Sequence, residues 1–282
     1  MSLYMVSGKG GVGKTHLSAA LSYQLSQKGR KVLLVEFSHL SLYSEFFSRP
    51  VGFKGVEIND GFYVASWTGL DCLSEYVASI AHSQRASDIF LKLPVLKNLI
   101  ESAPGLREVA VLGKLTSDYR QAIKLKTEYD DIVFDAPSTG HFMSLLQVPF
   151  GLTKTVGAGP MQVQCDSIIE CLNKSSEVKF VVVKDTSDFS QQEGEELYEF
   201  LVDRFPERKS FIDREKKPSA EPEQKTKTSY ERQEVIQVLN FAPPSSSKEF
   251  TESLKFFYEP NELGWFMGAK ELADKWEKII DA

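Results

Sequence analysis

The sequence has few of the residues that build metal sites and disulfide frameworks. Its 282 residues include only three cysteines, and none of them forms a Cys-x-x-Cys pair. The pattern therefore predicts neither a zinc site nor a disulfide scaffold, and we expect Cys72, Cys165 and Cys171 to be small buried or half-buried side chains. Only five methionines occur, so no methionine-rich segment suggests a groove for apolar clients.

Two further absences narrow the function. The formal net charge is −6 and the isoelectric point is near 5.4, which argues against a protein whose main partner is nucleic acid. No apolar run is long enough to span a bilayer, and the first residues lead into a strand without a signal peptide, so we expect a cytoplasmic protein. Hydrophobic residues make up 42% of the chain, and we expect residues 1–282 to form a single domain.

A glycine-rich loop lies near the N-terminus, between a short apolar strand candidate and a helix candidate with apolar residues at helical spacing. In such a loop the glycines leave room for backbone N–H groups around phosphates, Lys14 reaches the terminal phosphates, and the Thr15 hydroxyl meets Mg²⁺. A chance Gly-Lys-Thr in a turn would lack the flanking strand and helix. The residues predicted to bind a nucleoside triphosphate are Gly8, Lys9, Gly10, Gly11, Val12, Gly13, Lys14, Thr15 and His16.

Lys9 is a second lysine, placed early in the loop. It resembles the extra lysine of the deviant Walker A motif, which crosses a dimer interface to the phosphates bound by the other subunit. By that resemblance Lys9 would act as an arginine finger does, adding positive charge where the transition state accumulates negative charge. The alternative is a solvated loop charge that attracts phosphates without a dimer.

Short β-rich apolar runs separated by helical stretches predict an α/β fold. The runs are residues 31–36, 129–135, 179–183 and 235–239. Strands buried on both faces form parallel sheets, so we expect a doubly wound, mostly parallel sheet flanked by helices. Residues 71–126 are largely helical in pattern and long for one crossover, which predicts a helical elaboration beside the sheet. Residues 216–233 contain almost no apolar side chain and are predicted to be a mobile loop.

Asp135 opens a second motif, Asp-Ala-Pro-Ser-Thr-Gly-His, directly after the strand candidate at 132–134. Ligands of open α/β sheets collect where parallel strands meet their loops. Asp135 fits a Walker B role, holding Mg²⁺ through water or through Thr15, and Gly140 supplies a hinge that responds to the terminal phosphate. An aspartate in this place is otherwise often a helix cap, but the phosphate loop upstream favours the metal role.

These motifs resemble the anion-transporting ATPases, a family that includes the arsenite-pump ATPase and the ATPase that delivers tail-anchored membrane proteins. The similar segments are residues 9–15, 135–141, 142–149, 103–109, and Gly159-Pro160 with Gln164. The resemblance covers residues 1 to about 200. It implies a deviant Walker A P-loop NTPase with ATP and Mg²⁺, a nucleotide-sandwich dimer and two switch loops, of which 135–141 is the second. By the same resemblance Lys9, Lys14 and Asp135 are catalytic, and Thr15 and Asp135 hold the metal.

The first switch departs from the family pattern. Where the family usually has Asp-Pro-Ala-His, with an aspartate that positions or deprotonates the attacking water, this chain has Ser-His-Leu-Ser at residues 38–41. Glu36 and Glu45 are the nearest acidic candidates to replace it, although Glu36 lies at a strand end and Glu45 in a helix-like stretch. His39 could orient water as a neutral imidazole, or be an ordinary packed or solvated histidine. For the adenine contact, the resemblance suggests Asn240.

Two functions are consistent with these motifs. The first is a Mg²⁺-dependent, ATP-hydrolysing dimeric switch that handles a membrane-protein client or a membrane partner. The second is a nucleotide-binding, weakly hydrolysing subunit of a heterodimer with a more typical paralogue. The replacement by Ser38 favours the second function and predicts slow hydrolysis. The first function is favoured by four intact residues, Lys9, Lys14, Thr15 and Asp135. A partition ATPase is disfavoured because no basic DNA-binding patch is evident.

Overall fold

The structure is a computed structural model that describes residues 2–81, 105–116, 128–155, 158–173, 178–185, 187–205 and 235–239. Several sequence predictions lie outside these residues and stay predictions. They are the loop at 216–233, the adenine candidate Asn240, and the parts of the helical elaboration at 82–104 and 117–126. Within the described ranges, no helix is both long enough and apolar enough to cross a membrane.

One seven-stranded sheet organises the described part of the chain, in the order β3-β4-β2-β5-β1-β6-β7. The strands are β1 (Ser2–Gly8), β2 (Val32–Phe37), β3 (Val56–Asn59), β4 (Phe62–Trp67), β5 (Asp131–Asp135), β6 (Val178–Lys184) and β7 (Val235–Leu239). Neighbouring strands are parallel except for β3, which runs antiparallel to β4. The predicted mostly parallel sheet is confirmed, and the β3–β4 hairpin at its edge is an addition that the sequence did not reveal.

Helices cover both faces of this sheet. They are α1 (Lys14–Gln27), α2 (Leu42–Phe46), α3 (Gly69–Ala81), α4 (Leu106–Thr116), α5 (Thr139–Thr155), α6 (Pro160–Asn173) and α7 (Asp188–Arg204). Side chains of α1 and α2 pack into the core on one face, and those of α3 to α7 into the larger core on the other. The fold is therefore doubly wound, as predicted. Cys72, Cys165 and Cys171 are buried thiols, also as predicted.

The alternation of side-chain direction along β2 and β5 determines on which face of the sheet two carboxylates lie. Leu34 of β2 and Val133 of β5 both pack into the core beside α1. Because successive side chains of a strand point to opposite faces, Glu36 and Asp135 continue that same face. The two residues are also paired directly in the parallel register of β2 and β5, where strands lie about 4.8 Å apart. The fold thus brings both acidic side chains to one face at the carboxyl end of the sheet.

Candidate nucleotide-binding site

The phosphate loop joins the end of β1 to the start of α1, and its glycines are required by geometry. A Cβ on Gly8 would lie 2.1 Å from the carbonyl oxygen of Val183 on β6, so no larger residue fits between these strands. Gly13 has φ of +87°, a conformation in which a side chain would be strained. The loop therefore keeps its backbone close to β6 and turns sharply into α1.

The N-terminus of α1 is left open toward the loop. Gly13 caps the helix without any side-chain hydrogen bond, and the first turn contains no acidic residue. Helix N-termini carry unsatisfied N–H groups and a partial positive charge, which together favour a bound anion. His16 lies in this first turn edge-on to Phe46, with ring centroids 5.6 Å apart, and burial lowers its pKa. A neutral His16 leaves the loop lysines as the charged donors at the site.

Lys14 spans the mouth of the loop. Its Nζ donates a hydrogen bond to the Lys9 carbonyl oxygen at 2.9 Å. Burial lowers the pKa of Lys14, and attraction to Asp135 and Glu193 opposes that shift. An ammonium held this way, with a backbone oxygen as its acceptor, has the chemistry to exchange that oxygen for those of a phosphate. The predicted phosphate role of Lys14 therefore has a fitting geometry.

Lys9 is turned toward its own subunit. Its Nζ lies 5.2 Å from the centre of the Phe189 ring, which belongs to the first turn of α7 and is 72% exposed. Cations are attracted to aromatic faces at this distance. The described residues belong to one subunit, so the predicted role of Lys9 across an interface stays a prediction. To reach a partner's phosphates, Lys9 would have to leave Phe189.

Asp135 lies at the end of β5, beside the first turn of α1. Its Oδ2 accepts a hydrogen bond from the Tyr43 hydroxyl at 3.0 Å, and its Oδ1 lies 3.4 Å from Ser18 Oγ. Burial raises the pKa of Asp135 to about 6, hydrogen bonds from the Thr15 and Tyr43 hydroxyls counteract this, and the charge of Glu36 adds to the rise. A buried carboxylate with this raised pKa is a group that a nearby cation would stabilise.

These oxygens suit Mg²⁺. The ion prefers oxygen ligands and is usually held by one or two carboxylates together with phosphate oxygens. The Thr15 hydroxyl donates a hydrogen bond to the Asp135 carboxylate at the base of the phosphate loop. Two buried oxygens in the surrounding elements, Glu36 Oε1 and Thr139 Oγ1, have no hydrogen-bond partner among the described residues. Glu36 is paired with Asp135 in the register of β2 and β5, and Thr139 belongs to the second switch motif, which begins at Asp135.

The structure separates the candidates for the first switch. Ser38 hydrogen-bonds locally, donating from Oγ to the Leu40 carbonyl oxygen at 2.7 Å. His39 and Glu45 are exposed. Glu36 is only 4% exposed, its Oε2 accepts from the Leu42 N–H at 3.1 Å, and burial raises its pKa. Glu36 is thus the one of these candidates that lies beside Asp135, without leaving its strand.

Tyr43 is a site residue that sequence reasoning missed. It is fully buried in α2, and its hydroxyl also lies 3.1 Å from the Thr15 carbonyl oxygen. No phosphate-loop or switch motif marks a tyrosine at this position, and an aromatic residue in an apolar stretch usually indicates core packing. The only available signal was its place in the segment that follows the altered first switch.

Comparison with known proteins identifies the family. The family model described as Anion-transporting ATPase matches residues 1–216. The chain belongs to this family. Similar relatives are ATPase BagA from Mycobacterium tuberculosis, 29% identical over 180 residues (61% of this chain, 53% of the relative), and an arsenical pump-driving ATPase from Escherichia coli, 31% identical over 189 residues (64% and 31%). Another is ATPase get3 from Neurospora crassa, 30% identical over 154 residues (54% and 44%).

The match confirms the resemblance inferred from the phosphate loop and the second switch motif. The chain spans about half the length, or less, of these relatives of the anion-transporting ATPase family. The activities in these names belong to the longer relatives.

Proposed function

We propose that the chain is a Mg²⁺-dependent, ATP-binding and ATP-hydrolysing switch of the anion-transporting or membrane-protein-targeting type, working as a dimer. The observation that carries the proposal is the Asp135 carboxylate beside the Thr15 hydroxyl, at the open N-terminus of α1. Phosphates need oriented N–H donors and Mg²⁺ needs oxygen ligands, and this corner of the fold offers both. The relatives are all named as ATPases, which supports the same activity.

Each loop residue has a distinct part in this proposal. Backbone N–H groups between Gly8 and Thr15 bind the phosphates, and the Lys14 ammonium binds the terminal ones. Thr15 and Asp135 would hold Mg²⁺, which neutralises phosphate charge when bound. Lys9 of the opposing subunit would add positive charge from the other side of the nucleotide. Dimerisation would then exchange the contact of Lys9 with Phe189 for a contact with phosphate.

Within this proposal, Glu36 is the group we assign to the attacking water. It is buried on the same face of the sheet as Asp135, and within the described ranges its Oε1 has no hydrogen-bond partner. The raised pKa of Glu36 makes it a better proton acceptor than an ordinary exposed carboxylate. Its other oxygen is held by the Leu42 N–H, which restricts its reach, so we expect slow turnover.

Ser38 favours a second candidate function, a nucleotide-binding and weakly hydrolysing subunit paired with a more typical paralogue. The family's aspartate position carries a hydroxyl here, and that hydroxyl is engaged with the backbone of Leu40. A paralogue with the aspartate would supply one competent site in a heterodimer. Mixing the two chains should then raise ATP turnover above the sum of the separate rates, and simple additivity would favour the homodimer.

The partner outside the dimer is proposed from the relatives. One of them is named for driving an arsenical pump, which suggests a membrane partner or a membrane-protein client for this chain. We propose a cytoplasmic location, where ATP and Mg²⁺ are supplied together. Neither nucleic acid nor zinc enters the proposal, given the net charge of −6 and the cysteine spacing.

Calorimetric titration with ATP and Mg²⁺ tests the proposed binding site. Lys14→Ala should weaken ATP binding by about a hundredfold or more, because it removes charge-assisted hydrogen bonds of about 1.5–3 kcal/mol each. Lys28→Ala is the matched control, since Lys28 is an exposed lysine at the opposite end of α1. Affinity of the Lys14→Ala protein within about twofold of the unmodified chain would remove the basis of the proposed function.

A further inference from the structure

The Tyr43 hydroxyl connects three functional segments of the fold. It donates to Asp135 Oδ2 at 3.0 Å and lies 3.1 Å from the carbonyl oxygen of Thr15. Tyr43 itself belongs to α2, which directly follows the altered first switch. A single hydroxyl proton is shared most strongly with a charged acceptor, so the carboxylate is its principal partner. The first switch, the metal carboxylate and the phosphate-loop helix therefore meet at one oxygen atom.

The position of this hydroxyl is fixed by packing. Tyr43 is fully buried, and its ring stacks on Phe47 with centroids 5.9 Å apart and planes inclined by 22°. It packs into the same core as Val12 and Leu17 of the phosphate loop and α1. The short helix that carries it is capped by Ser41, whose side chain accepts the Ser44 N–H at 3.1 Å. Because the ring is packed on several sides, the position of its hydroxyl is fixed.

A second hydrogen bond attaches α2 to the same site. Glu36 Oε2 accepts the N–H of Leu42, the first residue of α2, at 3.1 Å. The beginning of α2 is thus attached to the end of β2, and its second residue to the end of β5. Because Tyr43 is bonded to Asp135, a displacement of Asp135 would move α2. A displacement of the first switch would likewise move Asp135 through Tyr43.

We propose that Tyr43 is a positioning residue for the metal carboxylate, and that it couples the first switch to cation binding at Asp135. Its hydroxyl holds Oδ2, and Ser18 Oγ lies 3.4 Å from Oδ1, so the orientation of the carboxylate is set from both sides. This inference rests on the proposed Mg²⁺–nucleotide site. A ring serving only as core packing would need no hydroxyl, and the phenylalanine variant retains every ring contact, so the two roles can be separated by removing one atom.

The test compares Tyr43→Phe with Tyr129→Phe. Tyr129 is a buried tyrosine that lies just before the first residue of β5, whereas Asp135 is the last residue of that strand. The control therefore makes the same chemical change away from Asp135. ATP affinity is measured by calorimetry with excess Mg²⁺ and with EDTA. In Tyr43→Phe the ATP affinity in EDTA should stay within about twofold of that of the unmodified chain. The gain, meaning the factor by which Mg²⁺ increases ATP affinity, should fall by about tenfold, which is the usual effect of losing one hydrogen bond to a charged group.

The outcomes distinguish this inference from the proposed function. An unmodified chain whose ATP affinity does not increase with Mg²⁺ would overturn both. A Mg²⁺-dependent gain that is equal in the unmodified chain and in Tyr43→Phe would overturn the role of Tyr43 alone. A drop in melting temperature without a change in that gain would assign Tyr43 to core packing, and would likewise overturn it.

Hydrogen exchange of the unmodified chain gives a second measurement that does not depend on a variant folding. If Tyr43 couples Asp135 to the first switch, Mg²⁺ with ATP should protect the amides of residues 38–47 more than ATP in EDTA does. Equal protection of these amides under the two conditions would contradict the coupling. In Tyr43→Phe the difference between the two conditions should disappear, whereas Tyr129→Phe should retain it.

Discussion

Replacing Asp135 by asparagine should stabilise the nucleotide-free protein while removing the proposed metal carboxylate. Burial raises the pKa of Asp135 to about 6, whereas the ordinary value is 3.8. The folded state therefore binds this proton more tightly than the unfolded chain does. Above about pH 6 the carboxyl group is ionised in both states, and the folded protein bears the cost of burying its charge.

The cost follows from the gap between the two pKa values. A gap from 3.8 to about 6 corresponds to about 3 kcal/mol, since each tenfold change in proton affinity is worth about 1.4 kcal/mol. Below pH 3.8 the group is protonated in both states and the cost is absent. Between these limits the contribution of Asp135 to the free energy of unfolding rises as the pH falls. Asparagine is neutral throughout, and its side-chain oxygen can still accept from Tyr43.

Urea unfolding in EDTA, without nucleotide, measures this difference. Asp135→Asn should be more stable than the unmodified chain by about 3 kcal/mol near pH 7.5 and by about half of that near pH 5. Asp60→Asn in the exposed β3–β4 turn is the control and should show little change at either pH. A less stable Asp135→Asn protein near pH 7.5, or an advantage that does not vary with pH, would refute the reasoning. Stability gained at the expense of Mg²⁺ binding is typical of a functional site.

Three further predictions concern other charged groups. Lys9→Ala should weaken ATP-dependent association more than ATP binding, because only the contact across the interface is lost; sedimentation showing a monomer with ATP, for the chain alone and with a paralogue, would contradict this. Glu36→Gln should lower phosphate release by about a hundredfold or more and Glu45→Gln should not; equal turnover in both variants would exclude Glu36. Glu75→Gln should lower the free energy of unfolding by about 2 kcal/mol, because it leaves the buried Lys114 ammonium without its carboxylate. Lys114→Met should cost less, because the Glu75 side chain is 30% exposed and can be rehydrated, and urea unfolding giving the reverse order would contradict this.

The parts of the site that the sequence predicted depend on local backbone geometry. A phosphate loop needs glycine where the chain turns with positive φ and where it approaches a neighbouring strand, and both requirements recur here at Gly13 and Gly8. Asp135 is equally local, because it ends an apolar strand and precedes a helix. Such features can be interpreted from about ten consecutive residues, without knowing what packs against them.

The strands at the edge of the sheet could not be predicted from local sequence. β3 has four residues, of which Glu57 and Asn59 are exposed, so its alternation is too short to stand out from a polar loop. β4 mixes Tyr63 and Ser66 with buried apolar residues. Only their pairing with each other and with β2 stabilises them as strands, and that pairing is a property of the folded sheet.

The first switch required the fold for a different reason. The loss of the family's aspartate at Ser38 is visible in the sequence, but its consequences depend on neighbours that are far away along the chain. Tyr43 and Asp135 are 92 positions apart and meet only because β2 and β5 are adjacent strands. Glu36 carried a weak signal, since a carboxylate that ends a strand buried on both faces must itself be buried if the strand continues through it.

The same alternation gives the altered switch a chemical interpretation. A carboxylate in the loop, as in the family pattern, can move with the loop, whereas Glu36 lies within β2 and is held by the Leu42 N–H. Moving the acid from a loop to a strand would exchange mobility for a fixed position beside Asp135. A fixed acid that can approach the water only when α2 shifts would make hydrolysis depend on α2, and α2 is the element that Tyr43 ties to Asp135. If Glu36 positions the attacking water, as proposed, the replacement of the switch aspartate would transfer control of hydrolysis to α2 and would not simply remove catalysis.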